Sequence, residues 1–277
     1  MRAFISRFLI FSLASVGWAQ ERQPVIKNKD LYEGPGYLHP FKRLPRYVLE
    51  DQKAIWTSPF HTSKRNAKYW VIFGAATGAL IATDQRTVKE LPNTSGQTRL
   101  GNYASTLGAA YSLIPITCGF YFIGSAAHND RFRESGLMSF EALIDSTIVE
   151  TVLKAVTQRD RPLEGDGTGA FWSGKTKFWN SGFPSGHVIN TWALASLWAH
   201  QYKHTIVVPV IAYGLGATVI GARLAARRHF PGDVLPSAAM GWFIGDYVFA
   251  KRHNSELDPK KSALEKVLAH VCIGGSF

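Results

Sequence analysis

From Leu100 to Ala127 the chain carries no Asp, Glu, Lys or Arg, and neither does the stretch from Thr205 to Ala222. Apolar runs of that length fit helices covered on most sides, either by other helices or by lipid. Pro115 lies inside the first run and predicts a kink there. A shorter uncharged run, Trp70 to Thr83, ends at Asp84, and residues 84–99 read as a polar loop. Further helices are expected from about 137 to 159, from Pro184 to about Tyr202, and from Pro231 to about Ala250. The second of these has proline and serine at its start, which suits a helix terminus with free N–H groups. The expectation is an all-α bundle of about six helices. The two longest runs favour a membrane-embedded bundle, although the mean hydropathy of −0.05 is low for one.

The flanks look different. Residues 1–19 place Arg2 and Arg7 before an apolar run from Phe8 to Val16 and end in Gly17-Trp18-Ala19, the layout of a secretory signal peptide. Residues 20–66 contain five of the prolines without a sustained period, so they read as an irregular extension with a short helix around 49–60. The helical domain is then 67–251, and 252–277 is a tail, polar at first and then amphipathic. The net charge of +11 points to an anionic partner, a membrane surface or a phosphate. The basic residues are dispersed and form no nucleic-acid motif, so no nucleic-acid partner is expected. Two cysteines, Cys118 and Cys272, build neither a disulfide framework nor a metal site.

Chemistry concentrates in three stretches. Lys154 and Arg161-Pro162 close one predicted helix, seven residues apart and so on a shared face. Glu150 is an i, i+4 neighbour of Lys154 and a natural ion-pair partner for it. Pro184-Ser185-Gly186-His187 opens the next helix, where backbone N–H groups favour an anion. Arg223, His229 and Asp233 follow the second long apolar run. A histidine four residues from an aspartate can be held at one ring nitrogen and leave the other free to attack. Arg159, Arg227 and Arg228 are further cations whose commoner fate is a solvated surface. Together the three stretches supply what a tetrahedral oxyanion needs: cations, helix-start N–H groups, a nucleophile and an acid.

In this order and spacing the stretches resemble the type 2 phosphatidic acid phosphatase / vanadium haloperoxidase superfamily. Its pattern is Lys-x6-Arg-Pro, Pro-Ser-Gly-His and Ser-Arg-x5-His-x3-Asp, matched here at every position except Ala222, which stands where the family has serine. The resemblance implies a helical bundle with its site at one end, and a metal-independent phosphatase with no cofactor. It implies that His229 is the nucleophile, that Asp233 orients it, and that His187 protonates the leaving group and then activates water. Lys154, Arg161, Arg223, Ser185 and Gly186 would hold the phosphoryl oxygens. Ala222 removes one hydroxyl contact at the edge of that set. The expected substrate is a phosphate monoester or diphosphate, lipid-linked; the alternatives are a vanadate-dependent haloperoxidase and a soluble periplasmic acid phosphatase.

The family's usual outward-facing site implies an exported protein of the inner membrane or periplasm, with the motifs on the periplasmic side. Six spanning helices behind a cleaved signal would instead leave the motifs in the cytoplasm. The segments expected not to span are therefore Trp70–Thr83 and the helix that carries Lys154.

Overall fold

The computed structural model describes residues 39–163, 167–174 and 176–259, and among these it is all helix and loop. The signal-like start and the amphipathic end of the tail lie outside the described residues. Eight α-helices follow in order: α1 (His39–Thr57), α2 (Lys64–Glu90), α3 (Ser95–Ser105), α4 (Ala110–Ala126), α5 (Asp130–Thr157), α6 (Gly186–Gln201), α7 (Val207–Ala225) and α8 (Pro231–Arg252).

Three expectations change. Within the stretch read as irregular, residues 39–57 form α1, because Pro45 sits early in the helix and the periodic face from Val48 to Ile55 packs inward. The loop assigned to 84–99 shrinks to 91–94, with α2 running on to Glu90 and Thr94 capping α3 by accepting from the Gln97 N–H. The long run from Leu100 breaks not at Pro115 but at a 3₁₀ turn over Thr106–Gly108. Gly108 is the reason: a Cβ there would press on Thr191 Oγ1, Val219 and the His187 carbonyl, so this turn sits directly against α6 and α7.

The buried centre is α6. Val188, Ile189, Ala193, Leu194 and Leu197 are all fully enclosed. Its tightest neighbour is α8, where a Cβ on Gly241 or Gly245 would collide with the Ile189 or Ala193 carbonyl. Backbone meets backbone along that seam. On the other side α5 joins the same core through Met138, Ala142 and Val149.

The helices alternate in direction, so the last turns of α5 and α7 and the first turns of α6 and α8 share one end of the bundle. A polar cluster closes the interior elsewhere: Arg252 at the end of α8 bonds Glu141 at 2.7 Å and Asp51 at 2.8 Å, and Gln52 donates to Asp145 at 2.9 Å. The acids of α5 thus point inward. The α3–α4 segment and α7 are each long and apolar enough to cross a bilayer, and they expose Leu100, Tyr103, Ile114, Phe122, Val210 and Ile211.

Candidate active site

Every predicted site residue comes to the shared end. Lys154 lies in the last turn of α5, and Arg161 follows in the loop beyond Gln158, whose left-handed backbone ends the helix. Ser185 is the N-cap of α6, Gly186 its first residue, and His187 sits one position further. Arg223 lies in the last turn of α7, 8% exposed. His229 is in the turn between α7 and α8, and Asp233 is in the first turn of α8.

His229 is 2% exposed, and its Nδ1 is 2.8 Å from the Gly182 carbonyl oxygen. A carbonyl can only accept, so Nδ1 carries the proton and Nε2 holds the lone pair. Burial, and then the charges of Arg223 and Arg161, hold this imidazole well below the ordinary histidine range. It is a neutral base with a fixed tautomer.

Asp233 does not make that bond. Its Oδ2 stays 3.8 Å from His229 Nδ1 and instead accepts the Phe230 N–H at 2.8 Å, as the third residue of a helix that begins with Pro231. Its other oxygen accepts from Arg159 at 2.6 Å. Two stronger claims on the carboxylate leave His229 to Gly182, with Asp233 behind it.

Arg159 overturns the expectation of a solvated surface. It is 1% exposed, bridges Asp233 and Asp84 (2.7 Å), donates to the Gly169 carbonyl, and lies between the rings of Phe171 and Phe230. Asp84 in turn accepts the Gly232 N–H at 2.8 Å. One guanidinium therefore ties α2, the loop after α5 and the start of α8 together. Nothing in the spacing signals this, although Asp84 is the lone charge that ends an apolar run. Arg227 also turns inward, to the carbonyls of Val88 and Leu91.

The loop from 158 to 183 carries the Gly182 carbonyl. It is pinned by the Gly182 N–H to Arg159 O (2.7 Å), the Asp160 N–H to Ala170 O (2.9 Å), and the hydroxyls of Ser173 and Thr176 on the Asp160 carboxylate. Phe171 anchors it, while Trp172 and Trp179 stay more than half exposed. Within one loop, then, one aromatic packs inward and two face outward.

Three features make the place an anion cradle. Lys154, Arg161 and Arg223 all act on both histidines, and with burial they push His187 down to about 3. Ser185 Oγ and Arg223 Nε are buried without a hydrogen-bond partner among the described residues. The first N–H groups of α6 open onto the same place. Buried donors of this kind are costly unless something accepts from them. Lys154 Nζ meets one internal acceptor, Glu150 Oε1, at 2.6 Å.

No curated protein matches this chain. Among solved structures it is similar to a transmembrane PAP2-type phosphatidylglycerolphosphate phosphatase from Bacillus subtilis, at 21% identity and a TM-score of 0.47, covering 76% of this chain and 94% of that one. The PAP2 superfamily model matches residues 136–256, a span that contains every motif residue from Lys154 to Asp233.

Proposed function

We propose that this protein is a phosphatase for lipid-linked phosphate monoesters, acting through a phosphohistidine on His229. The observation that carries the reading is a neutral, buried imidazole of fixed tautomer beside three cations and unpartnered buried donors. His229 Nε2 attacks phosphorus, a P–N bond forms, and the P–O bond to the alcohol breaks. Lys154, Arg161, Arg223, the Ser185 hydroxyl and the Gly186 N–H carry the charge on the equatorial oxygens. The alcohol leaves with a proton delivered through His187. Water then gives a proton to His187 as it attacks phosphorus, and the P–N bond breaks. Asp233 supports the ring from behind Gly182, and Ala222 leaves the nucleophile untouched.

Side chains supply all the positive charge in this scheme. Phosphate release from an alkyl phosphate is therefore expected to persist in EDTA and to be inhibited competitively by vanadate, which mimics the transferring group. Activity that disappears in EDTA and returns with Mg²⁺ would overturn the scheme.

A lipid substrate fits the exposed apolar flanks of α3–α4 and α7, which we read as the membrane-crossing segments. The outward-facing site that the family resemblance implies would put the site end on the periplasmic side of an exported protein. Lys177 is exposed in the aromatic loop at that end. With Cys118 and Cys272 replaced by alanine, K177C is expected to react with an impermeant thiol reagent in intact spheroplasts. Labelling only after lysis would put the site in the cytoplasm.

A further inference from the structure

Glu150 stands inside the cradle without a role in the scheme above. It lies one turn before Lys154 on α5, its side chain is 15% exposed, and its Oε1 accepts from Lys154 Nζ at 2.6 Å. Its carboxylate also rests on Gly186: a Cβ added there would fall on Oε1, Cδ and Oε2 of Glu150. A resident anion therefore sits between the Lys154 ammonium and the first residue of α6, the two groups that would receive a phosphoryl oxygen. Its ion-pair partner Lys154, together with Arg161 in the following loop and Arg223 on α7, acts on both His187 and His229. Asp233, behind His229, is taken up by Arg159, whereas Glu150 is the acid bonded to one of these three cations.

Resting on the phosphatase reading, we propose that Glu150 determines the charge state of the phosphate this site accepts, selecting the monoanion over the dianion. A dianion beside the carboxylate meets like-charge repulsion in a largely dry pocket. A monoanion has one P–OH, which can donate to a Glu150 oxygen and turn the repulsion into a charge-assisted hydrogen bond. No bond to phosphorus changes in this step; the proton stays shared between phosphate and carboxylate. Phosphodiesters have no such proton and would be refused for the same reason.

The test uses the full-length protein in detergent and phenylphosphonate as a non-hydrolysable probe, scored by its inhibition of phosphate release. A phosphoryl group of this kind loses its second proton between about pH 5 and 8.5. For the native protein the Ki is expected to rise about tenfold or more across that interval, and for E150Q by less than about threefold. Gln can still accept from Lys154 and can donate N–H to a dianion, so E150Q should bind the dianion more tightly than the native protein does. E150A should lose the discrimination too. If Glu150 only positions Lys154, both variants would instead weaken binding equally at the two pH values, which overturns the inference and leaves the phosphatase reading in place. A native protein that releases no phosphate overturns both.

Discussion

H229A is expected to lower phosphate release by about three orders of magnitude or more while its thermal transition stays close to that of the native protein. The Gly182 carbonyl fixes the tautomer of His229, and the charges of Arg223, Arg161 and Lys154 act on its buried ring. H187A is expected to behave differently. Its turnover should fall about a hundredfold or more on alkyl phosphates, yet by less than about tenfold on nitrophenyl phosphate, whose leaving group needs little protonation. Because the second step also needs His187 as base, H187A should accumulate an acid-labile phosphoenzyme on rapid quenching with labelled substrate. H229A should accumulate none. A labelled H229A, or one retaining a few per cent of native activity, would transfer the nucleophile's role elsewhere.

R159A is expected to be the most destabilising single substitution near the site. Arg159 is enclosed between Asp84 and Asp233, themselves 1% and 0% exposed as side chains, so its loss strands two buried carboxylates. Removing one partner of such an arrangement costs about 3–5 kcal/mol, which corresponds to roughly 10 °C in melting temperature for a chain of this size. The sign with pH follows from the carboxylates. Burial already holds both carboxyls above their ordinary values, and losing the guanidinium raises them further, so the deficit is full at neutral pH and shrinks as acid protonates them. Melting in detergent at about pH 7.5 and pH 5 measures both, and R159A/D84N should recover part of the loss. A shift under about 2 °C for R159A at neutral pH would mean the network holds little of the fold.

The sequence reading succeeded where the signal is local. The three motif stretches and their helix ends follow from proline and glycine placement and from the uncharged runs between them, and their convergence is what the family resemblance implies. Lys154 and Glu150 at i, i+4 form the ion pair their spacing permits, and the structure adds that Gly186 lies against it. The failures have a different origin. His229 and Asp233 have the same i, i+4 spacing, yet the helix start at Pro231 takes the carboxylate for the Phe230 N–H. Asp84 and Arg159 meet across 75 positions, and no periodicity encodes such a meeting. The break at Gly108 arises from close approach to α6 and α7, whereas the sequence drew attention to Pro115, which the helix absorbs.

The glycine seam between α6 and α8 has a mechanical consequence. Gly241 and Gly245 leave no side chain between the two backbones, so nothing there can change rotamer to let one helix slide along the other. His187 at the head of α6 and the turn bearing His229 at the head of α8 therefore behave as two jaws cut from one block. Whatever compliance the site needs has to come from the periphery, where the edge of the loop with Trp172 and Trp179 is exposed.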